Sequence, residues 1–177
     1  AAALGGGSGR PSAGRGSRGV RRGGGAWAPV VEGVLSAGIR RVRITGGEPR
    51  LHPRVVERVA HVAALGVEDL ALTTNATRLS GLAVPLRRAG LRRITVSIDS
   101  LDAARFRRIT RGGDLAKVLD GIHAALAAGF DEVKINCVVL RGENDDELVS
   151  MTEWAWQLGI TPRFIEVMPI GEGANIV

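Results

Sequence analysis

Cysteine is nearly absent from this sequence, which has a single one, Cys137, in 177 residues. One cysteine excludes a disulfide bond within the chain, and it excludes a zinc site or an iron–sulfur cluster held by several thiolates of this chain alone. Cys137 lies in the apolar stretch INCVVL, with no histidine near it. We therefore interpret it as a buried thiol without a catalytic role.

Long apolar runs are also absent. No run of about 18 apolar residues could span a bilayer, and no apolar stretch follows the basic N-terminus as a secretory signal would require. A chain of this length with 45% hydrophobic residues is typical of one globular domain. The sequence therefore predicts a cytoplasmic protein without a membrane partner.

Acidic residues are missing from the first 31 positions, which carry five arginines. Residues 1–26 contain ten glycines and almost no large apolar side chains, so we predict a disordered Gly/Arg-rich tail over residues 1–29. A linker, a cloning remnant or a misread frame would explain such a tail. The remaining domain, residues 30–177, is nearly neutral, and its charge gives no reason to expect a nucleic-acid partner.

From residue 30 onward a pattern recurs five times, in which a helical stretch ends at glycine and a β-rich strand follows. Glycine suits the left-handed conformation just past a helix end. The five glycines are Gly38, Gly66, Gly90, Gly129 and Gly159.

Apolar periodicity predicts helices over residues 55–65 and 115–126. The periodicity over residues 79–89 is weaker because Pro85 lies inside it. For the segment NDDELVSMTEWAWQLG, Asn144 is the predicted helix cap, with Glu147 three residues later.

The alternation of strands and helices predicts an α/β fold with a parallel sheet, either an open doubly wound sheet or part of a β/α barrel. Ligands bind at the carboxyl ends of the strands in both folds. We therefore expect one polar rim, formed by the segments TGGEP, TTNA, SIDS, KIN and EVMPIGEG.

Several residues at this rim suit ligand binding. Backbone amides at Gly46 and Gly47 favour a carboxylate or phosphate, although a plain βα turn explains two glycines equally well. Arg41 and Arg43 alternate with apolar residues and so share one face of their strand. Lys134, in an otherwise buried strand, would meet either an anion or solvent.

Taken together, TGGEP, TTN, SIDSLD, the Lys-x-Asn strand, LRGENDDE and RFIEVMPIGEG resemble the GTP 3',8-cyclase family of radical S-adenosylmethionine (SAM) enzymes. The resemblance covers about residues 31–177. It implies a partial (β/α) barrel of the radical SAM type, with five βα strands visible in this chain.

The resemblance also implies an activity. The family uses SAM and 4Fe-4S clusters to convert GTP to (8S)-3',8-cyclo-7,8-dihydroguanosine 5'-triphosphate in molybdenum cofactor biosynthesis, as a carbon–carbon lyase. The implied partners are GTP, the downstream cyclic pyranopterin monophosphate synthase and a low-potential electron donor. A homodimer is compatible with the resemblance.

Carried over by motif, the resemblance implies ten binding residues and no catalytic residue or metal ligand. The expected SAM contacts are Gly46, Gly47, Glu48, Ser97 and Met168. The expected GTP contacts are Arg41, Arg43, Thr73, Lys134 and Arg163.

The chain departs from the family in its cysteines. The family's Cys-x3-Cys-x2-Cys motif and three C-terminal cysteines are both missing, and TTNA replaces the commoner TTNG. We therefore predict that this chain alone is inactive. Two alternatives stay open: a radical SAM enzyme with another substrate, and a degenerate, non-catalytic barrel that binds nucleotide or SAM.

Overall fold

The computed structural model describes residues 2–4, 28–45 and 54–167. Two 3₁₀ turns, Leu79–Gly81 and Asp145–Glu147, precede the third and sixth helices. The strands are β1 (Ala2–Leu4), β2 (Arg41–Ile44), β3 (Asp69–Thr74), β4 (Arg93–Ser97), β5 (Glu132–Val139) and β6 (Thr161–Glu166). The helices are α1 (Ala28–Ser36), α2 (Val55–Ala64), α3 (Ala83–Arg88), α4 (Ala103–Ile109), α5 (Leu115–Ala127) and α6 (Leu148–Gln157).

The six strands form one sheet in the order β1-β2-β3-β4-β5-β6, and every neighbouring pair is parallel. A doubly wound sheet reverses its strand order at a switch point, whereas the described strands follow one another without reversal. This sequential order is that of a β/α barrel. The predicted α/β fold and its five strands are thereby confirmed.

The sheet corrects one expectation. Ala2–Leu4, within the segment predicted to be disordered, forms β1 and pairs with residues 42–44 of β2. An edge strand presents unpaired N–H and C=O groups, so a short segment of small and apolar residues can add to it. Residues 5–27 lie outside the described residues, and the boundary at residue 29 stays a prediction.

The predicted helices are confirmed at α2 and α5, whereas α3 shows why Pro85 does not exclude a helix. Pro85 is the third residue of α3. The first residues of a helix have no intrahelical partner for their N–H groups, so proline loses no hydrogen bond there. Helix α4 was not predicted. It begins at the cap Asp102, whose carboxylate accepts a hydrogen bond from the Arg105 N–H.

All five predicted cap glycines have positive φ, between 70° and 99°. At Gly90 the full Schellman pattern is present: the Gly90 N–H donates to the Arg87 oxygen and the Leu91 N–H donates to the Leu86 oxygen. The recurring glycine was therefore a reliable mark of helix ends in this chain.

One cap prediction is wrong. Asn144 precedes the 3₁₀ turn, but its side chain makes no capping hydrogen bond. The Asn144 side chain instead binds the main chain of β5 and of the loop after β4. The Glu147 carboxylate likewise accepts from the Ser100 hydroxyl and the Leu101 N–H of that loop, not from the Asn144 N–H.

The core lies between the helices and one face of the sheet. Alternate strand residues such as Leu72, Ile94 and Ile135 are fully buried there, together with Val59 of α2 and Ile122 of α5. The positions between them on the strands are largely polar and only half-buried. Strands β4 and β5 thus present an apolar side to the helices and a polar side to the opposite face.

Within the described parts of the chain, no helix has the length and hydropathy needed to cross a membrane.

Candidate functional site

The polar side of the sheet gathers most of the predicted binding residues. Strand register sets their rows: Thr73, Thr95 and Lys134 are aligned on adjacent strands, and the row of Ser97, Asn136 and Arg163 lies closer to the carboxyl ends. We call this surface the polar face. Its members are Arg43, Asp69, Thr73, Arg93, Thr95, Ser97, Glu132, Lys134, Asn136 and Arg163.

Arg43 is bound to hydroxyl groups on this face. Its Nη1 donates to Thr95 Oγ1 at 3.0 Å and to Thr73 Oγ1 at 3.3 Å. Both hydroxyls come from neighbouring strands, so the guanidinium is held across β3 and β4 by neutral groups. These two contacts leave the positive charge of Arg43 uncompensated.

Other basic groups on the face are neutralised. Arg93 forms a two-pronged ion pair with Asp69, and its Nη1 lies 3.4 Å from Glu132 Oε2. The Lys134 ammonium lies 2.9 Å from Glu132 Oε1. Among the described residues, no ion pair joins a carboxylate to Arg43 or Arg163.

The electrostatics of Arg43 reflect this imbalance. Burial lowers the pKa of the Arg43 guanidinium, and the charges of Arg163 and Arg93 lower that pKa further, against a smaller opposing effect of Asp69 and Glu132. A bound polyanion would relieve the repulsion among these cations. The polar face is thus suited to an anion with several charges.

The loop that follows Ser97 is fixed by buried polar contacts. Asp99 Oδ1 accepts a 2.8 Å hydrogen bond from the Val138 N–H of β5. Burial raises the pKa of the Asp99 carboxyl, and this hydrogen bond offsets part of the rise. The Asn144 side-chain nitrogen donates to the main-chain oxygens of Asp99 and Val138, and Asn144 is only 1% exposed. The carboxyl ends of β4 and β5 are therefore held together next to Ser97.

A second network supports the same loop. The Glu147 carboxylate accepts hydrogen bonds from the Ser100 hydroxyl, the Leu101 N–H and Arg105 Nη1 at 2.6–2.8 Å. Arg105 also pairs with Asp146. The hydrogen bonds to Asp146 and to Glu147 raise the pKa of Arg105 above its usual value. The segment LRGENDDE thus acts in this fold as a support for the SIDSLD loop.

The carboxyl ends of β5 and β6 border a cavity of about 690 Å³. Its lining combines apolar and charged side chains from both strand ends and from the segment after β5. They are Val139, Leu140, Arg141, Asp145, Phe164, Glu166 and Val167. Its strand residues Val139, Phe164 and Glu166 alternate with those of the polar face, so the cavity borders the helix side of β5 and β6.

The structure brings five predicted binding residues together on the polar face: Arg43, Thr73, Ser97, Lys134 and Arg163. Lys134 lies inside β5 rather than at its end, because β5 extends to Val139. Lys134 is nonetheless level with Thr95 of β4.

Arg41 lies on the same side of β2 as Arg43, two residues nearer the amino-terminal end of the strand. It lines a cavity of about 430 Å³ at that end of the sheet, together with Glu68, Asp69, Arg92, Arg93 and Asp131. Its expected contact with GTP stays a prediction. Gly46, Gly47, Glu48 and Met168, predicted for SAM, lie outside the described residues.

Two residues of the face were not predicted individually. Thr95 is 2% exposed and accepts from Arg43, and the Oδ1 atom of Asn136 is buried with no hydrogen-bond partner in the described part of the chain. The alternation of polar residues in RITVS and EVKIN carried the information, because every second position of a strand shares one face.

Cys137 does not fit a cluster ligand. It is 1% exposed, on the core side of β5, and burial raises the pKa of its thiol to about 12. Iron is bound by thiolates, which such a pKa disfavours. Within the described residues, no group of three or more His, Cys, Asp or Glu side chains could hold a metal ion.

Comparison with known proteins identifies a superfamily and curated relatives. The model of the radical SAM superfamily matches residues 29–155. GTP 3',8-cyclase of Pseudomonas fluorescens strain Pf0-1 is 48% identical over 143 residues, which cover 80% of this chain and 43% of that protein. The chain thus spans less than half the length of this curated relative.

Solved structures share the fold. SuiB of Streptococcus suis bound to precursor peptide SuiA superposes with a TM-score of 0.72 at 15% identity, covering 94% of this chain and 37% of that one. Coproporphyrinogen III oxidase (HemN) of Escherichia coli, a radical SAM enzyme, gives a TM-score of 0.60 at 12% identity, covering 87% of this chain and 40% of that one. The partial barrel is therefore shared with proteins of very different sequence.

Proposed function

Because this chain belongs to the radical SAM superfamily, we propose that it forms the SAM- and GTP-binding part of a GTP 3',8-cyclase. That enzyme would convert GTP to (8S)-3',8-cyclo-7,8-dihydroguanosine 5'-triphosphate in molybdenum cofactor biosynthesis, in the cytoplasm. The 48% identity to a GTP 3',8-cyclase supports the choice of substrate. The downstream synthase, the electron donor and a homodimer belong to the same proposal.

The observation that carries the proposal is the cationic pair Arg43 and Arg163 on the polar face. Neither has a carboxylate partner among the described residues, and the charge of Arg163 lowers the pKa of Arg43, after the larger effect of burial. A triphosphate supplies the missing negative charge, and guanidinium groups bind phosphate oxygens through two parallel hydrogen bonds. Thr73 and Thr95 hold Arg43 in place for that contact.

SAM would be held by Ser97 at the end of β4 and by Gly46, Gly47, Glu48 and Met168. A reduced 4Fe-4S cluster, if one were held, would supply the electron that radical chemistry on SAM requires. The residues of this chain do not fit the cluster, because Cys137 is the sole cysteine and is buried on the core side of β5. We therefore propose that the 177 residues by themselves bind the two ligands without turning them over.

Titration calorimetry with GTP tests the binding proposal. Arg43→Met should weaken GTP binding by about tenfold or more, since a hydrogen bond to a charged group contributes about 1.5–3 kcal/mol. Arg107→Met, which removes an equal charge from an exposed site on α4, is the matched control and should leave the affinity unchanged. Equal affinity of wild type and Arg43→Met for GTP would contradict the proposal.

Anaerobic incubation of the chain with SAM, GTP and dithionite tests the second part. We expect no cyclised product by mass spectrometry. Product formation by the 177-residue chain would contradict the proposal that this chain binds the two ligands without turning them over.

A further inference from the structure

Strand β6 is far more exposed than β3, β4 and β5. Parallel sheets are normally covered on both sides, and no residue of those three strands is exposed. In β6, by contrast, five of the six residues are exposed. Phe164 and Ile165 are among them, whereas the other large apolar side chains that are exposed in the described residues lie on helices. The sheet therefore has an uncovered apolar surface at β6.

The same strand presents an open edge. Of the strands that the structure describes, β6 pairs with β5 alone, so its outer row of main-chain N–H and C=O groups has no strand partner. Such a row is a template for another strand, because a strand offers N–H and C=O groups at the matching spacing. The edge thus specifies the kind of element that would cover it.

The charges of β6 are balanced. Arg163 and Glu166 are its two ionisable residues, and they have opposite signs. A neutral strand does not select a strongly acidic or strongly basic partner, and two copies of it do not repel each other through net charge. These properties favour a second copy of this chain as the partner.

The sequence of β6 is compatible with antiparallel pairing of two copies about a two-fold axis perpendicular to the sheet. Such an axis keeps every residue on its own side of the sheet, so Phe164 can lie opposite Phe164 of the second copy. Aromatic pairs across antiparallel strands stabilise a sheet. In this register Arg163 lies opposite Ile165, so like charges are not opposed. Pro162, which has no N–H to donate, lies toward the end of the pairing.

The helix side of β6 has room for a second aromatic ring. Phe164 lines the cavity of about 690 Å³ on that side, together with the apolar side chains of Val139, Leu140 and Val167. Phe164 of a second copy would border this space and cover part of its apolar lining. The pairing would therefore bury apolar surface in addition to forming main-chain hydrogen bonds.

We propose that two copies of this chain associate through antiparallel pairing of their β6 strands, centred on Phe164. The inference deepens the homodimer in the proposed function and rests on that part of it. Ile165 of each copy would lie beside Arg163 of the other, at the border of the polar face. A six-residue strand is small for an interface, which has about 20–30 residues a side, so we expect a dissociation constant on the order of 10 µM.

Sedimentation velocity of the 177-residue chain, at concentrations from about 1 to 100 µM, tests the association. Wild type should change from monomer to dimer over this range. Phe164→Lys should weaken the dimer by about tenfold or more, because it places two like charges opposite each other at the axis. Val84→Lys is the matched control, since Val84 lies on α3 and is 47% exposed against 39% for Phe164. It should dimerise as wild type does.

Cross-linking tests the register without relying on the lysine variant. Directly opposite residues of antiparallel strands have Cβ atoms about 4.5–5.5 Å apart. Phe164→Cys should therefore give a covalent dimer with bismaleimidoethane, whereas Val84→Cys should stay monomeric. Cys137 is buried and should not compete for the reagent.

Three results would overturn the inference. A wild-type monomer at every concentration leaves the edge to a strand of another protein. An undiminished dimer in folded Phe164→Lys, or no cross-link in Phe164→Cys, places the contact elsewhere. Species that keep growing with concentration indicate head-to-tail pairing instead of a closed two-fold dimer.

GTP titration separates this inference from the nucleotide site. If the chain is monomeric and Arg43→Met still weakens GTP binding, the proposed GTP site stands and the dimer does not. If the chain dimerises through β6 but binds neither GTP nor SAM, the proposed function fails and the interface stands.

Discussion

The side-chain nitrogen of Asn144 donates a 2.7 Å hydrogen bond to the main-chain oxygen of Asp99. The same nitrogen donates to the Val138 oxygen at 2.9 Å, and Asn144 Oδ1 accepts from the Leu140 N–H at 2.7 Å. One buried carboxamide thus satisfies three main-chain groups from two segments. It joins the loop after β4, which follows Ser97, to the end of β5.

Replacement of Asn144 by alanine should destabilise the protein. Two carbonyl oxygens and one N–H would lose their partner in a site that is 1% exposed. We expect the free energy of unfolding to fall by about 2–4 kcal/mol, measured by urea denaturation. Asn75→Ala is the control, because Asn75 lies in an exposed turn and should cost less than about 1 kcal/mol.

Asp99 should give the protein a pH-dependent stability of unusual sign. Because burial raises the pKa of its carboxyl, the folded state binds the proton more tightly than the unfolded state does. The free energy of unfolding should therefore fall as pH rises from the unfolded carboxyl pKa through the folded one. Most native carboxylates have the opposite effect.

Asp99→Asn tests this sign directly. Asparagine can still accept from the Val138 N–H but carries no charge to bury. The variant should be more stable than wild type at neutral pH, and its advantage should shrink as pH is lowered through the Asp99 titration. Urea denaturation across this pH range measures the difference, and a variant less stable than wild type at neutral pH would refute the interpretation.

Much of the fold could be predicted from local pattern. Apolar periodicity identified α2 and α5, and the cap glycines marked helix ends because few other residues adopt positive φ. Strand β1 and helix α4 could not be predicted in this way. The three residues of β1 carry too little pattern, and α4 is a seven-residue helix with three arginines.

The sequence predicted which strand residues share a face, but it did not predict which basic residues on that face form ion pairs. The alternation in RVRI indicated that Arg41 and Arg43 share a face. Register across three strands decides that Asp69 and Glu132 neutralise Arg93 and Lys134, whereas Arg43 pairs with no carboxylate of the residues that the structure describes. The role of Asn144 depends on such tertiary contacts too, which is why a local capping pattern gave the wrong prediction.

Cys137 should be almost unreactive in the native protein. Its pKa of about 12 leaves a thiolate fraction on the order of 10⁻⁴ at pH 8, against roughly 0.2 for a free cysteine. Labelling by 5,5'-dithiobis(2-nitrobenzoic acid) at pH 8 should be about a thousandfold slower than in urea. Comparable rates in the two states would show that the thiol is accessible and ionised.

Gly121 shows how closely α5 approaches the loop after β3. A Cβ atom on Gly121 would lie 2.4 Å from the main-chain oxygen of Ala76. Ala76 itself is fully buried at φ 59°, a left-handed conformation that a non-glycine residue rarely adopts, so this loop has little room to move.

Gly121→Ala should therefore force α5 away from the loop that follows β3. We expect a loss of about 2 kcal/mol or more in the free energy of unfolding, as overpacking of a dense interior produces. Gly33→Ala is the matched control, because Gly33 lies in α1 with no atom within 4 Å of its added Cβ. That change should be neutral or stabilise by about 0.5–1 kcal/mol, since alanine favours a helix over glycine. Equal effects of the two substitutions in urea denaturation would show that helix propensity, rather than the contact with Ala76, determines the outcome.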